Sequence, residues 1–319
     1  MRGPGGKMND GAPKLNIVTG AFGFTGSYIA RKLIAMGEAV RTLTNHARDG
    51  ADMETAPLDF EKADQLARSL AGASVLYNTY WVRFAYGNVD HAQAVENTRR
   101  LIRAAEDAGV ERIVHVSITH PSINSPLPYF KGKAEVERII ESSRLSYAIL
   151  RPAVVFGRED ILINNIAWLL RRFPFFAVPG RGEYALQPIF VEDLAETAVK
   201  AGHERQNTVQ DAAGPEIYSY EDLVRLIRKT IASRSRILHL SPKTVVLASK
   251  VLGALVRDVI LTPDEVRGLM AGLLVSKEPP LGKTSLRIWL EENATTIGAS
   301  YSSELARHYR GKRVGQQLD

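Results

Sequence analysis

The chain of 319 residues contains no cysteine. Without cysteine it cannot form a disulfide framework, a thiolate metal site or a cysteine nucleophile. It also lacks an uninterrupted apolar run of the roughly 20 residues that a membrane span requires. The longest candidate, Thr244 to Thr262, is interrupted by Lys250, Arg257 and Asp258. No motif typical of nucleic-acid binding is present, so we do not expect a nucleic acid among its partners.

The composition is ordinary for a globular protein, with 45% hydrophobic and 24% charged residues and a net charge of +6. A chain of this length can accommodate one large α/β domain and a smaller lobe. Residues 1–13 are rich in glycine and proline and have no apolar run, so we interpret them as a flexible tail and not as a signal peptide. The sequence therefore predicts a cytoplasmic protein, with peripheral contact to a membrane as an open alternative.

The first motif is a glycine-rich turn between an apolar run, Leu15 to Val18, and an amphipathic segment that ends near Met36. Its glycines have the spacing G-x-x-G-x-x-G, which differs from the commoner G-x-G-x-x-G of dinucleotide-binding proteins. Such a turn lets the backbone approach a phosphate, and the first turn of the following helix favours an anion. The alternative is a tight turn without a ligand. The candidate pyrophosphate-binding residues are Gly20, Phe22, Gly23, Phe24, Thr25 and Gly26.

Short apolar runs alternate with helical stretches through the first half of the chain. The alternation predicts an α/β fold with a doubly wound parallel (Rossmann) sheet, followed by a smaller, mostly helical C-terminal lobe. We expect the Rossmann domain at residues 14–157, with residues 185–213 returning to it, and the lobe at residues 158–184 and 214–319. Ligands of such sheets lie at the carboxyl ends of the strands, so the residues after each strand are the site candidates. The strand candidates are Leu15 to Val18, Val40 to Thr44, Val75 to Thr79, Ile113 to Ser117 and Tyr147 to Leu150.

The loop after the second strand predicts the choice of dinucleotide. An acidic residue there would hold the ribose 2′-hydroxyl of NAD, and none occurs before Asp49. The loop instead contains Asn45, His46 and Arg48. Arg48, together with Arg41 or His46, would meet the 2′-phosphate of NADP, so we expect NADP(H) to be favoured over NAD(H). The alternative is that these basic side chains are simply solvated.

Further cofactor contacts are expected after the next strands. Asp59 and Phe60 are expected beside the adenine, although Asp59 could equally cap the helix that follows. Asn78 and Thr79 end the strand candidate Val75 to Thr79 and are also expected to contact the cofactor. The loop then continues through Tyr80 to Phe84. Its bulky side chains either line an apolar substrate pocket or fill it.

The second motif is Tyr129-Phe130-Lys131-Gly132-Lys133. Tyr129 and Lys133 are four residues apart and share one face of a helix, together with Val136 and Ile140. A lysine on an apolar face is unusual, and its charge would lower the pKa of the tyrosine from its ordinary value of about 10. The pattern therefore predicts a tyrosine that acts as an acid or base near neutral pH. The alternative is an interface tyrosine beside a lysine that reaches solvent.

Together these motifs make the chain resemble the short-chain dehydrogenase/reductase superfamily, in its extended or atypical branch. Within that branch it is most similar to the atypical subgroup that includes the NADPH-binding accessory subunit of respiratory complex I and its free-standing bacterial relatives. The resemblance covers about residues 14–230. The matching segments are Gly20-x-x-Gly23-x-x-Gly26, Val95 to Ala105, His115 to Ser117, Tyr129-x-x-x-Lys133, Leu150 to Gly157, Gln187 to Leu194 and Ala213 to Tyr220.

The resemblance implies a role for each matched residue. Gly20 to Gly26 would form the phosphate turn, Tyr129 would be the catalytic acid or base, and Lys133 would contact the ribose of the nicotinamide nucleotide. The third catalytic group of the family is a serine or threonine after the fifth strand, here either Ser117 or Thr119. The implied wall of the nicotinamide site is Pro152, Ala153 and Val154.

Two apolar segments of the predicted lobe are candidates for binding a substrate or a partner. Leu162 to Phe176 includes Arg171 and Arg172, and would form an apolar pocket with an anion clamp in an enzyme or a docking face in a subunit. Thr244 to Thr262 could place one apolar helix face on a membrane or another subunit. Ordinary packing within the lobe is the alternative for both. The apolar residues of the second segment are Val245, Val246, Leu252, Leu255, Val256 and Val259.

These observations support three functions. The first is an NADP(H)-dependent oxidoreductase that acts on a small, apolar carbonyl or quinone-like substrate. The second is a non-catalytic NADPH-binding accessory or assembly protein of a membrane complex, because members of the resembled subgroup hold the cofactor in structural roles. The third is a nucleotide-sugar epimerase or dehydratase, which the bulky loop Tyr80 to Phe84 disfavours. The sequence leaves the oligomeric state open.

Overall fold

The computed structural model describes residues 14–45, 52–87 and 89–308, without the side chains of residues 307 and 308. Its strands are β1 (Leu15–Thr19), β2 (Ala39–Leu43), β3 (Glu54–Ala56), β4 (Ala73–Asn78), β5 (Arg112–Val116), β6 (Ser146–Pro152), β7 (Val154–Phe156), β8 (Phe175–Pro179), β9 (Ala185–Leu186), β10 (Pro188–Phe190), β11 (Thr208–Ala212), β12 (Tyr218–Ser219) and β13 (Arg236–Leu240). Its helices are α1 (Phe24–Ala35), α2 (Ala63–Leu70), α3 (His91–Asp107), α4 (Pro128–Glu141), α5 (Leu162–Arg172), α6 (Val191–His203), α7 (Tyr220–Thr230), α8 (Pro242–Val256), α9 (Pro263–Met270), α10 (Leu286–Glu292) and α11 (Glu304–His308).

Seven strands form one sheet in the order β11-β6-β5-β4-β1-β2-β3. All neighbouring strands in it are parallel. The strand order reverses at β1 and β4, and the carboxyl ends of these two strands form the switch point at which such sheets bind ligands. This arrangement confirms the predicted doubly wound Rossmann fold.

Helices cover both faces of the sheet. On one face α1 and α6 bury Ile29 and Leu194 against the strands. On the other face α2, α3 and α4 bury Leu66, Leu101 and Val136. Burial on both faces explains why the central strands consist of nearly continuous apolar runs, which is what made them visible in the sequence.

A second hydrophobic core lies in the C-terminal lobe, where α5, α7 and α10 pack together. Three two-stranded sheets accompany the main sheet in the described part of the chain, pairing β7 with β10, β8 with β13 and β9 with β12. The apolar segment from Leu162 to Phe176 contributes Ile163, Ile166, Leu170 and Phe176 to this core. Most apolar side chains of this segment therefore pack within the lobe, which agrees with the alternative of ordinary packing.

The two arginines at the end of α5 do not form the predicted anion clamp. Arg171 donates from Nε to the carbonyl oxygen of Ile297 at 3.0 Å and from Nη2 to that of Ala294 at 2.6 Å. Arg172 places its guanidinium 5.3 Å from the ring centroid of Trp168. The prediction of an anion clamp is wrong, because Arg171 is engaged with backbone carbonyls and Arg172 with an aromatic ring.

Helix α8 presents an apolar face to solvent. Leu247, Val251 and Leu255 are 64%, 68% and 76% exposed and follow one another at four-residue intervals. Of the residues expected to form such a face only Leu255 belongs to it, since Val245 is buried and the others are partly buried. In the described part of the chain, no helix combines the length and the apolar character that crossing a membrane requires.

Candidate functional site

The glycine turn joins β1 to α1 at the carboxyl edge of the sheet. Gly20 has a φ of +70°, which glycine adopts readily, and its carbonyl oxygen accepts a hydrogen bond from the N–H of Gly23 at 2.8 Å. A Cβ atom on Gly26 would lie 2.3 Å from that same oxygen. The three glycines therefore hold the first turn of α1 directly against the end of β1.

The N-terminus of α1 can accept an anion. Gly23 is its N-cap residue, no side chain in the described part of the chain caps this terminus, and its first turn contains no acidic residue. Gly20 is exposed, and Phe22 and Thr25 are partly buried beside it. Phe24 directs its ring toward the glycine that follows β7. A glycine-lined helix terminus without a side-chain cap fits a pyrophosphate.

Hydroxyl groups tie the end of β4 to the end of β1. The hydroxyl of Thr19 accepts from the N–H of Thr79 at 2.9 Å and from that of Tyr80 at 3.2 Å. The side chain of Thr79 donates to the carbonyl of Thr19 at 2.5 Å and lines the glycine turn. The buried amide of Asn78 accepts from the Thr19 hydroxyl at 2.9 Å and bonds Nδ1 of His115 at 3.1 Å. The side chain of Asn78 is thus engaged within the sheet, and its contact with a cofactor stays a prediction.

Asn45 and Asp59 connect the loops after β2 and β3. Asn45 bonds the backbone of Leu58 twice, donating to its carbonyl at 2.6 Å and accepting from its N–H at 3.2 Å. Asp59 accepts from the N–H of Glu61 at 3.0 Å and pairs with Lys62 at 3.1 Å. The lysine lowers the pKa of Asp59. Asp59 therefore stabilises the turn before α2, although the N-cap itself is Lys62.

Of the basic residues expected at a 2′-phosphate, the structure describes only Arg41. Arg41 forms an ion pair with Glu54 at 2.9 Å and donates to the carbonyl of Ala71 at 2.9 Å. It is therefore engaged with β3 and the end of α2, and its assignment to the 2′-phosphate is wrong. His46 and Arg48 lie outside the described residues.

The remaining cofactor candidates lie at two other strand ends. Phe60 packs against Tyr80 in a tilted arrangement with ring centroids 4.9 Å apart. Pro152, Ala153 and Val154 are buried where β6 gives way to β7. They lie at the carboxyl end of β6, and the glycine turn lies at the carboxyl end of the parallel strand β1.

The two hydroxyl groups considered for the third catalytic position donate elsewhere. Ser117 donates to a carboxylate oxygen of Glu137 at 2.5 Å. Thr119 donates to the carbonyl oxygen of Leu273 at 2.7 Å, in the segment that follows α9. Both hydroxyls are buried and satisfied by these acceptors, so neither is oriented toward the phenol of Tyr129.

Lys133 is buried on the face of α4 that it shares with Tyr129. Its Nζ donates to the carbonyl of Val116 at 2.7 Å and lies 4.7 Å from the ring centroid of Trp81. Burial lowers the pKa of Lys133 to about 7, and the carboxylate of Glu137 opposes that shift. The ammonium group is therefore close to losing its proton at neutral pH, as is common for groups at functional sites.

The phenol of Tyr129 has a raised pKa. Burial is the main cause, the carboxylate of Glu265 adds to it, and the guanidinium of Arg83 opposes it. The charges that act on the phenol do not include Lys133. The predicted lowering of this pKa is wrong, because desolvation favours the neutral phenol and the charge with the largest effect on it is an acidic one.

Aromatic rings surround the phenol, and sequence reasoning missed most of them. The rings of Trp81 and His91 lie 5.9 Å and 5.8 Å from that of Tyr129, close to perpendicular to it. His91 is the first residue of α3, directly after the N-cap residue Asp90. From the sequence, Trp81 is predicted only to be one of the bulky side chains of the loop Tyr80 to Phe84. Glu265 lies in α9 with no local signal that could have linked it to this site.

Comparison with known proteins identifies the dinucleotide-binding part of the chain. A family described as NAD(P)H-binding matches residues 20–160. "NADH dehydrogenase [ubiquinone] 1 alpha subcomplex subunit 9, mitochondrial" of Arabidopsis thaliana is 25% identical over 286 residues, covering 81% of this chain and 70% of that protein. The Mus musculus protein of the same name is 29% identical over 229 residues, covering 66% of this chain and 59% of that protein. The chain therefore spans only part of the length of these relatives.

A solved structure supports the same fold. The NADPH-dependent quinone oxidoreductase of Escherichia coli, in complex with NADPH, has a TM-score of 0.71 and 21% identity, covering 88% of this chain and 98% of that one. At this level of identity the similarity shows the fold alone. From the family match over residues 20–160 and the parallel sheet with its glycine turn, we conclude that the chain contains an NAD(P)H-binding domain with a Rossmann-like fold.

Proposed function

We propose that this protein binds NADP(H) at the carboxyl edge of its parallel sheet and reduces a small, apolar carbonyl or quinone-like molecule. The observation that carries the proposal is a glycine-lined helix terminus after β1, together with a tyrosine and a buried lysine on one face of α4. NADPH supplies a hydride when it is bound there. The residues of the chain supply binding, exclusion of water and a proton.

The raised pKa of Tyr129 favours reduction over oxidation. A phenol that stays protonated at neutral pH is a proton donor and not a base. Tyr129 would donate its phenolic proton to the carbonyl oxygen of a substrate whose carbon takes the hydride that bound NADPH would supply, so that the carbonyl becomes an alcohol and the tyrosine a phenolate. Lys133 has a pKa of about 7 and would contact the ribose of the nicotinamide nucleotide after releasing the carbonyl of Val116.

Apolar residues around the phenol support an apolar substrate. Ile118, Leu127 and Phe130 form a small hydrophobic cluster at the N-terminal end of α4. Leu273 and Leu274 pack against it together with the ring of Tyr129. A hydrophobic ketone, aldehyde or quinone suits such surroundings, whereas a sugar nucleotide would leave its hydroxyl groups without partners there.

The cofactor preference is tested by calorimetric titration of the full chain with NADPH and NADH. We expect NADPH to bind more tightly, and Arg48→Ala to remove most of the difference because the guanidinium would no longer pair with the 2′-phosphate. Arg144→Ala is the matched control, since Arg144 is exposed in the loop before β6 at the opposite edge of the sheet. Equal affinity for both dinucleotides in the wild type would refute the preference.

Turnover is tested by following NADPH oxidation with a panel of hydrophobic ketones, aldehydes and quinones. Tyr129→Phe should lower kcat by about 100-fold or more while leaving the NADPH affinity nearly unchanged, because only the proton-donating hydroxyl is lost. Tyr147→Phe, at the amino end of β6, is the control that should behave as wild type. A Tyr129→Phe variant with wild-type kcat would exclude the tyrosine from the reaction.

The second candidate function is a non-catalytic NADPH-binding accessory protein at a membrane, and the exposed face of α8 favours it. Leu247, Val251 and Leu255 form an apolar stripe, and α8 contains no acidic residue. Lys243 and Lys250 are exposed along one border of that stripe. An apolar helix face bordered by lysines is the arrangement of helices that lie in the interface of an anionic bilayer.

Flotation with vesicles tests this second function. Phosphatidylcholine vesicles that contain phosphatidylglycerol should carry the protein, and Leu247→Glu with Val251→Glu should abolish flotation. Ile217→Glu is the control, because Ile217 is 57% exposed and directly precedes β12, outside α8. Flotation without NADPH oxidation on any member of the carbonyl and quinone panel would favour the accessory role over the enzyme.

A further inference from the structure

The indole of Trp81 lies on the face of α4 that carries Tyr129 and Lys133. A Cβ atom on Gly132 would be 2.9 Å from Cη2 of the indole and 3.2 Å from Cζ2, so the ring touches the helix at this glycine. The ring centroid is 4.7 Å from Nζ of Lys133 and 5.9 Å from the ring centroid of Tyr129. The indole therefore occupies space next to both polar groups, where a nicotinamide ring and a substrate would have to meet them.

In this arrangement the two polar groups act separately. The ammonium of Lys133 donates to the carbonyl of Val116 at 2.7 Å. The phenol of Tyr129 is influenced by Glu265 and Arg83, which belong to α9 and to the loop after β4. A reaction that uses the tyrosine and the lysine on one bound molecule therefore needs that molecule to take the place of the indole.

Trp81 is anchored through its neighbours and not through its own polar atom. Before it, the ring of Tyr80 packs against that of Phe60 with centroids 4.9 Å apart. After it, Arg83 pairs with Glu265 at 2.5 Å. The indole Nε1 is buried and has no hydrogen-bond partner in the described part of the chain. A buried donor without an acceptor is unfavourable, so a ligand can compete with this position of the ring.

We propose that Trp81 is a gate whose indole must leave α4 before the nicotinamide ring of NADP(H) can lie beside Tyr129 and Lys133. This inference rests on the cofactor site proposed above. The gate opens by rotation of the Trp81 side chain, because hydrogen bonds to Thr19 fix the preceding backbone at Thr79 and Tyr80. Closed, it reduces the apparent cofactor affinity in proportion to the fraction of molecules that are open.

Calorimetric titration with NADPH tests the gate through two changes that act differently on the same contact. Trp81→Ala removes the indole, and Gly132→Ala adds a methyl group where the indole lies and displaces it. Each should tighten NADPH binding, by about tenfold for Trp81→Ala, because the competing ring is gone. In the double variant Gly132→Ala should add nothing further, and this non-additivity is the signature of a shared contact.

Fluorescence gives a readout that does not depend on activity. The chain contains three tryptophans, and the difference between wild type and Trp81→Phe isolates the Trp81 signal without altering Trp168 and Trp289 of the lobe. Acrylamide should quench this signal weakly in the free protein and severalfold more strongly after saturation with NADP⁺. Gly132→Ala should produce the stronger quenching without any nucleotide.

Two failures can be told apart. If the wild type binds NADPH and Trp81→Ala binds it equally or more weakly, the gate is refuted and Trp81 is a fixed wall of the site. An indole that stays shielded when NADP⁺ is bound would refute the gate in the same way. If neither the wild type nor any variant binds NADPH or NADH, the cofactor site itself is refuted and the gate with it.

Discussion

Replacement of Gly26 by alanine should force α1 away from the turn that it follows. The new Cβ would lie 2.3 Å from the carbonyl oxygen of Gly20 and 2.7 Å from its carbonyl carbon, and neither backbone atom can rotate away. Favourable contacts between such atoms begin near about 3.5 Å, so the helix or the turn must move by roughly 1 Å. Overpacking of this kind costs about 1–3 kcal/mol, of which the better helix propensity of alanine returns up to about 1 kcal/mol.

The larger effect should be on the cofactor. The movement lifts the first N–H groups of α1 from the position at which they would meet a pyrophosphate. A hydrogen bond to a charged group contributes about 1.5–3 kcal/mol, so losing one should weaken NADPH binding by a factor between about 10 and 150. Calorimetric titration measures the affinity, and urea unfolding of the same preparation measures the stability.

Gly109→Ala is the control for this experiment. Gly109 has a φ of +75° with open space around it, and it follows α3 at the amino edge of the sheet. Alanine there is strained by about 1–2 kcal/mol, so stability should fall by a similar amount while NADPH affinity stays that of the wild type. If Gly26→Ala lost no more affinity than this control, the glycine turn would not be the phosphate site.

Three further predictions concern stability. Lys133 has a pKa of about 7 in the folded chain against an ordinary 10.5, so the unfolded state binds more protons between these values and stability should rise with pH across that window, by at most about 5 kcal/mol. Urea unfolding should reveal this rise, and Lys133→Met should abolish it. Asp258→Ala removes the carboxylate that accepts from the N–H groups of Glu304 and Leu305 at 2.9 Å and 3.0 Å, so limited proteolysis should cleave within α11 earlier than in the wild type. Gly202→Ala places a Cβ 2.0 Å from the hydroxyl of Tyr77 and should cost about 2–3 kcal/mol in thermal unfolding. Tyr77→Phe should recover part of that loss; no recovery would point to a different clash.

The strands that the sequence reveals are those buried on both faces of the sheet. β1, β4, β5 and β6 carry continuous apolar runs because helices cover them on each side. The two edge strands escaped prediction. β3 consists of exposed or partly buried residues, and β11 contains the polar pair Gln210 and Asp211. An edge strand with little buried surface leaves no hydrophobic period in the sequence.

The functional site was predictable to the extent that it is local. The shared face of Tyr129 and Lys133 follows from their spacing on one helix. The pKa of the tyrosine does not, because it depends on burial by the loop after β4 and on Glu265, which is distant in sequence. The same applies to Arg41, whose ion pair with Glu54 is made by the pairing of β2 with β3. Which long-range partner a charged side chain meets is decided by tertiary packing.

The place of β11 in the sheet has a consequence for how the protein is made. β6 pairs with β5 on one side and with β11 on the other, and β11 leaves the ribosome roughly 60 residues after β6 does. At about 5–20 residues per second, this leaves the outer edge of β6 unpaired for roughly 3–12 s of synthesis. Through that interval its free N–H and C=O groups can pair with a strand of another nascent chain. The cell must therefore protect an almost complete nucleotide-binding sheet until β11 pairs with β6.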